Sequence, residues 1–140
     1  MLLHSPDGDL GREMPTFALA DAMGETQRMA DHLGEGGLVV AFICNHCPYV
    51  QAIGDRLAQD ARTLAAEGTS MLAVMSNDWR TYPDDAPEMM PHFAAHFGFD
   101  FPYLVDADQA VGKAWGAVCT PEFFGLDAQG RLRYRGRLDD

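Results

Sequence analysis

The stretch "LVVAFICNHCPYVQAIGDRL", Leu38 to Leu57, joins an apolar run to a helical pattern. Leu38 to Ile43 is continuously apolar and rich in β-branched and aromatic side chains, which is typical of a central strand buried on both faces. From Pro48 the apolar residues recur every three or four positions, a spacing that predicts a helix ending near Gly68. Residues 44–47 therefore connect a buried strand to a helix.

The rest of the chain repeats this alternation of strands and helices. Further apolar runs predict strands over Thr16–Asp21, Met71–Ser76 and Phe101–Asp106, and helical patterns cover Gln27–Leu33, Pro87–Phe97 and Gln109–Trp115. Glu122–Leu138 reads as a hairpin around the turn residues Asp127–Gly130. We expect one α/β domain over residues 1–140, with a mixed sheet between helical layers.

Composition narrows the classes of function. The chain has 140 residues, 47% hydrophobic and 22% charged, and a formal net charge of -11. That charge repels nucleic acid and anionic membrane surfaces, so we expect neither as a partner. The N-terminus lacks the basic region of a secretory signal and no apolar run has the length of a membrane span, which predicts a cytoplasmic protein.

Two of the three cysteines, Cys44 and Cys47, form a C-x-x-C motif at the predicted strand-to-helix junction. Free backbone N–H groups and the helix dipole favour negative charge there, so a thiolate is stabilised. We assign Cys44 as the nucleophile and Cys47 as the resolving thiol that displaces a captured partner. His46 adds positive charge or a hydrogen bond beside Cys44, which predicts a pair less reducing than one that encloses Gly-Pro.

Two other interpretations of these thiols compete with catalysis. The cysteines can be buried small hydrophobic residues, although spacing and position argue against this. Alternatively, a metal such as copper binds to soft ligands drawn from Cys44, His46, Cys47 and Cys119. A structural zinc site normally brings a second ligand pair at recognisable spacing, and the sequence has none, so we expect no metal and no cofactor.

The segments "CNHCPYV" and "CTPEFFGLDAQGRLRYRGR" resemble the thioredoxin superfamily, within it the redoxin branch of peroxiredoxin-like and TlpA-like proteins. This resemblance covers nearly the whole chain and implies a thioredoxin-like sandwich. It also implies that Pro121 is the cis-proline that faces the disulfide, and that Thr120 offers backbone groups to an extended substrate. Cys119 is then a buried strand residue, an accessory redox thiol or a metal ligand.

The chain departs from the patterns of these relatives at three points. Peroxiredoxins carry Thr three residues before the reactive cysteine, where this chain has Ala41, and this argues against efficient peroxidase chemistry. The strand before the motif lacks the buried acid of thioredoxins, and Pro48–Ile53 lacks the Glu of TlpA-like reductases. Proton transfer is therefore assigned only to His46 or to water.

The resemblance also sets an expectation for the two ends of the chain. An N-terminal extension precedes the first predicted strand, and the helix that closes a thioredoxin fold after the hairpin is absent from these 140 residues. An exposed apolar sheet face favours association, so a homo-oligomer is an alternative to a monomer. The expected partners are a disulfide-containing protein or a small thiol or disulfide.

Two further patterns receive structural interpretations. Arg131, Arg133, Arg135 and Arg137 alternate with other residues along the last predicted strand, which indicates a solvated edge, with an anion site as the alternative. Glu88, His92 and His96 recur at helical spacing and indicate a surface stripe. Taken together, the sequence predicts a thiol–disulfide oxidoreductase, with a thiol peroxidase or a copper-binding protein as alternatives.

Overall fold

The computed structural model describes residues 11–21, 23–43, 48–76, 86–117 and 122–136, with residues 48–53 described by their backbone. Seven strands form one sheet in the order β2-β1-β5-β4-β3-β6-β7. The strands are β1 (Ala18–Asp21), β2 (Thr26–Arg28), β3 (Leu38–Phe42), β4 (Ser70–Met75), β5 (Tyr103–Val105), β6 (Glu122–Leu126) and β7 (Leu132–Gly136). The helices are α1 (Pro48–Ala66), α2 (Met90–Phe97) and α3 (Ala110–Trp115).

The sheet is mixed, as predicted. Strands β3, β4 and β5 are parallel, β1 pairs antiparallel with β5, and β6 pairs antiparallel with β3. The apolar run of β3 therefore lies inside the sheet, between β4 and β6, and is hydrogen-bonded on both sides, which explains why it carries no polar side chain.

Each face of the sheet packs against its own helical layer. On one face, α3 and the N-terminal segment cover Val40, Phe42 and Phe124, with Trp115 of α3 at the centre. On the other face, α1 and α2 cover Ala41, Phe123 and their neighbours through apolar side chains that include Leu57, Ala61, Met90 and Phe93. Alternate residues of β3 thus enter opposite cores, which is the physical basis of the sandwich.

The two helices on the second face approach closely at a glycine. A Cβ atom added to Gly54 of α1 would lie 2.4 Å from the ring of Phe97, so the absence of a side chain permits this α1–α2 contact. Within the described residues, no helix is both long enough and apolar enough to cross a membrane.

Most predicted elements occur within a few residues of their predicted bounds, and two predictions change. Residues 27–33 were expected to be helical, but Thr26–Arg28 pairs with β1 and only Met29–His32 is a 3-10 helix. The helix expected from Pro87 begins with a 3-10 turn, Pro87–Met89, and is α-helical from Met90. Pairing with a neighbouring strand overrides local preference in the first case.

The hairpin of β6 and β7 also departs from a regular alternation of side chains between the two faces of the sheet. Gly125 pairs with Tyr134, whereas Leu126 pairs with Leu132, so Arg133 is an extra residue that interrupts the ladder. One inserted residue reverses which face the following side chains occupy. The prediction that the arginines share one solvated face is therefore wrong for Arg135, whose side chain is 10% exposed, against 61% for Arg133.

Candidate active site

Four strand ends meet at one edge of the sheet. The parallel strands β3, β4 and β5 end there, and β6, which runs the opposite way, begins there. Hydrogen bonds continue this edge past the strands, from Ile43 N to Val74 O and from Asp106 N to Met75 O. In open α/β sheets the carboxyl ends of the strands are where ligands usually bind, so this edge is the candidate site.

The predicted site residues are adjacent in sequence to the strands that end or begin at this edge, but they lie outside the described residues. Cys44, His46 and Cys47 fall between β3 and α1 in the sequence, and Cys119, Thr120 and Pro121 immediately precede β6. The described chain fixes the two points from which these segments start. Phe42, near the end of β3, and Glu122, the first residue of β6, are direct partners in the antiparallel ladder.

Glu122 forms a buried ion pair at this edge. Arg135 donates a hydrogen bond from Nε to Oε2 of Glu122 over 2.8 Å, and the two side chains are 10% and 2% exposed. Asp106 and Glu122 are the buried charged residues among those the structure describes. A buried charge is tolerated because it is paired and hydrogen-bonded, and here the partner is a guanidinium.

The guanidinium of Arg135 has two further contacts. Its Nη2 donates a hydrogen bond to the carbonyl oxygen of Gly116, just after α3, and its Cζ lies 5.0 Å from the ring centroid of Phe124. Arg135 therefore links β7 to the start of β6 and to the C-terminal end of α3. A lysine, which lacks the planar fork, cannot make the same set of contacts.

A second buried carboxylate holds α3 against the ends of β4 and β5. Ser76 donates a hydrogen bond from Oγ to Oδ2 of Asp106 over 2.6 Å, and the backbone N–H groups of Gly112 and Val111 donate to the same carboxylate over 2.8 and 3.2 Å. A Cβ atom added to Gly112 would lie 2.5 Å from Ser76 Oγ, so a side chain at this position would displace the hydroxyl that binds Asp106. These contacts give Asp106 a structural role at the edge.

An aromatic cluster forms the interior beneath this edge. Phe17, Phe42, Trp115 and Phe124 pack at centroid distances between 5.3 and 6.0 Å, and Trp115 donates a hydrogen bond from Nε1 to the carbonyl oxygen of Pro15. Trp115 is therefore a core residue. Its neighbours make the environment of Arg135 apolar on one side.

Other candidate ligands do not converge in the part of the chain that is described. His92 and His96 are exposed on α2, with Glu88 exposed in the turn before it. Across residues 11–21, 23–43, 48–76, 86–117 and 122–136, no group of three or more His, Cys, Asp or Glu side chains is placed to hold a metal.

The ion pair was missed in the sequence because its members belong to two misleading patterns. The sequence pattern predicts Glu122 as the first residue of a hairpin and Arg135 as one of a row of exposed arginines. One signal was present: Glu122 directly precedes two phenylalanines in an otherwise apolar strand. A carboxylate in such a position needs a cationic partner, and the facing strand β7 supplies two arginines, Arg133 and Arg135.

The sheet order and the two helical layers define a thioredoxin-like α/β fold, which is shared by solved DsbE-like structures. The chain belongs to the AhpC/TSA family, whose sequence model matches residues 10–135, and this match places it among the redoxins of the thioredoxin superfamily. Both the fold and the superfamily were predicted from the sequence, and both are confirmed.

The relatives of this chain include a proposed peroxiredoxin, a thiol-disulfide oxidoreductase and a solved hypothetical protein. The chain is 26% identical over 130 residues to a Mycobacterium tuberculosis protein named as a proposed peroxiredoxin, covering 93% of this chain and 78% of that protein. It is 25% identical over 125 residues to the thiol-disulfide oxidoreductase ResA of Geobacillus thermodenitrificans, covering 89% and 67%. A solved hypothetical protein from Sinorhizobium meliloti 1021 is 40% identical, with a TM-score of 0.92 over 99% of this chain and 75% of that one.

Proposed function

We propose that this protein is a thiol–disulfide oxidoreductase that uses Cys44 and Cys47. The observation that carries the proposal is the position of the C-x-x-C motif in sequence, between the end of β3 and the start of α1, in a chain of the AhpC/TSA family. Similarity to ResA supports the same reaction type.

The start of α1 supports an anionic thiol. The helix runs for 19 residues from Pro48, the residue that follows Cys47, and its first turn contains no acidic side chain. The positive end of its dipole is therefore not cancelled by a neighbouring carboxylate. Proline at the first helical position costs no hydrogen bond, because that N–H has no partner within a helix.

In the proposed reaction the Cys44 thiolate attacks one sulfur of a substrate disulfide. A bond forms between Cys44 and that sulfur, the substrate disulfide breaks, and the other substrate sulfur leaves as a thiolate. Cys47 then loses its proton and attacks Cys44 Sγ, which releases the second substrate sulfur and forms the Cys44–Cys47 disulfide. Two electrons pass from the protein to the substrate, and an external thiol or dithiol restores the reduced pair.

The remaining predicted residues have supporting roles in this proposal. His46 stabilises the Cys44 thiolate, and Thr120 with Pro121 offers backbone groups to an extended substrate. The ladder pairing of Phe42 with Glu122 supports this arrangement, because the two segments start from adjacent points of one edge. We further propose that the protein works in a reducing cytoplasm on a protein or small-molecule disulfide.

A cysteine-to-serine variant tests this function. Cys47→Ser leaves the mixed disulfide unresolved, so incubation with a disulfide-containing peptide should give a covalent adduct that mass spectrometry assigns to Cys44. Cys119→Ser is the matched control and should turn over without accumulating an adduct. Absence of any adduct on Cys44, or an adduct carried by Cys119 instead, contradicts the proposal.

A thiol peroxidase is the second candidate, favoured by the similarity to the proposed peroxiredoxin of Mycobacterium tuberculosis. Ala41 stands where peroxiredoxins carry the threonine that aligns the peroxide, which argues against it. One measurement distinguishes the two functions, the rate at which Cys47→Ser consumes hydrogen peroxide in the presence of an external thiol. Rapid consumption supports the peroxidase and rejects the exchange mechanism.

A further inference from the structure

The methionines in the described part of the chain fall into an exposed group and a buried group. Met23 is 84% exposed and Met89 is 43% exposed. Every other described methionine is 7% exposed or less and belongs to one of the two cores. These buried residues are Met14, Met29, Met71, Met75 and Met90. An oxidant in solution therefore meets very different thioethers within one protein.

Met23 lies in the turn that joins β1 to β2, and this turn is closed by backbone groups and one carboxylate. The N–H of Asp21 donates to the carbonyl oxygen of Glu25 over 2.9 Å, and the N–H of Gly24 donates to the carbonyl oxygen of Asp21 over 3.0 Å. The Asp21 carboxylate accepts hydrogen bonds from the N–H groups of Met23 and Glu25 over 2.9 and 3.0 Å. The side chain at position 23 can therefore change without loss of these bonds.

The space beside Met23 is open and lies away from the candidate active site. Apart from its chain neighbours, no described atom lies within 4 Å of a Cβ atom added to Gly24. Strand β1 is antiparallel to β5, with Ala20 opposite Val105 and Asp21 opposite Leu104, so β1 ends toward the edge where β5 begins. The candidate site is at the other edge, where β5 ends. A small oxidant can thus reach the Met23 sulfur without entering the candidate site.

We propose that Met23 is a surface site of reversible oxidation by hydroperoxides. The thioether sulfur attacks one peroxide oxygen, an S–O bond forms and the O–O bond breaks. The proton of the transferred oxygen passes to the leaving oxygen, which departs as water or an alcohol. The sulfur loses the two electrons that the peroxide gains, and methionine sulfoxide reductases convert the sulfoxide back to methionine. This modification goes beyond the proposed function, because it uses none of the cysteines.

The same reaction has a different consequence in the cores. A sulfoxide is polar, so its formation at a buried methionine disrupts apolar packing and leaves a polar group without water. Met90 shows the contrast most sharply, because it follows Met89 directly and is 1% exposed. At Met23 the sulfoxide oxygen stays in water. The fold therefore directs oxidation to the β1–β2 turn first and to Met89 second, where the protein tolerates it.

Peptide mass spectrometry after brief exposure of the wild-type protein to excess hydrogen peroxide tests this proposal. Tryptic cleavage at the flanking arginines places Met14 and Met23 in one peptide, and fragment ions show which of them carries the oxygen. Met23 should be oxidised at least about tenfold faster than Met14 and about twice as fast as Met89. Met90 is the matched neighbour of Met89 and should react as slowly as Met14.

A variant and a reversal experiment complete the test. Met23→Leu removes the thioether but keeps an apolar side chain of similar size, so the fast phase of oxygen uptake by the whole protein should disappear. Met29→Leu, the matched control in the adjacent core, should retain that phase. Wild-type protein oxidised at Met23 should keep its melting temperature within about 2 °C. Methionine sulfoxide reductases with dithiothreitol should then remove the added oxygen.

Three results overturn the inference. Oxidation of Met14 or Met90 at the same rate as Met23 shows that burial in this fold does not select the site. A larger fall in melting temperature when Met23 alone is oxidised shows that the fold does not tolerate the change. A sulfoxide at Met23 that the reductases leave in place shows that the modification is not reversible. Each readout follows a methionine rather than a thiol, so this inference and the proposed function can fail separately.

Discussion

The hairpin of β6 and β7 carries two arginine–carboxylate pairs with nearly equal geometry and very different surroundings. Arg135 Nε lies 2.8 Å from Glu122 Oε2, and Arg133 Nε lies 2.9 Å from Asp127 Oδ2. The first pair is 10% and 2% exposed, the second 61% and 21%. Distance alone therefore says little about what an ion pair does, because the surrounding solvent decides its strength.

The two pairs also differ in what else they hold. Asp127 belongs to the turn, where its Oδ1 accepts hydrogen bonds from the N–H groups of Gln129 and Arg131 over 2.9 and 3.0 Å. Arg135 instead contacts Gly116 and the ring of Phe124, and so connects three elements at the candidate site. The exposed pair serves local turn geometry, while the buried pair lies at the edge of the sheet where β3 ends and β6 begins.

The largest change in stability is expected when one member of the buried pair is replaced by an uncharged residue. Arg135→Met should lower the free energy of unfolding by about 3 kcal/mol, because it removes the guanidinium that is paired with the buried Glu122 carboxylate. Urea denaturation measures this loss. Arg133→Met is the matched substitution and should cost less than about a third as much, since the Arg133 side chain stays in water. Equal losses contradict the distinction between the pairs.

A smaller effect is expected when both buried charges are removed. Glu122→Gln/Arg135→Met should recover most of the stability lost by Arg135→Met, leaving a deficit of about 1 kcal/mol or less, because both charges of the pair are then removed together. The comparison uses the same urea titration on the single and double variants. A double variant less stable than either single variant shows that the side chains act independently and removes the case for a coupled pair.

The bounds of the strands and helices were largely predictable, and the charge pattern of the hairpin was not. The apolar run of β3 and the changed periodicity from Pro48 are local signals that survive folding. The insertion of Arg133 into the β6–β7 ladder is a tertiary feature, and it turns Arg135 inward against the alternation in the sequence.

Some residues of the candidate site could likewise be predicted from the sequence, and others could not. The C-x-x-C motif is a contiguous pattern and could be found by its spacing, whereas Glu122 and Arg135 are 13 residues apart and meet only through the bulged register. Asp106 was likewise read as a strand end, because nothing local shows that it binds the backbone of α3. Sequence patterns reveal contiguous motifs, and long-range polar pairs need the fold.

The smallest expected effect is the contribution of Asp127, in the exposed pair, to the pH dependence of stability. Hydrogen bonding from the Arg131 backbone N–H, with further help from Arg133 and Gln129, holds the pKa of Asp127 below its ordinary value of 3.8. A lowered folded-state pKa contributes stability that is present above that ordinary value and is lost as the pH falls through the folded value. Asp127→Asn should therefore flatten the decline of stability below pH 3.8, measured by urea unfolding. An unchanged slope shows that the turn does not contribute to acid unfolding.

Redox equilibrium of the wild-type protein against glutathione tests the central claim most directly. The account predicts a two-electron transition in which Cys44 and Cys47 form one disulfide, at a potential less reducing than the roughly -270 mV of thioredoxin, because His46 and the start of α1 favour the thiolate. Two thiols that stay free at every ratio of reduced to oxidised glutathione contradict the account.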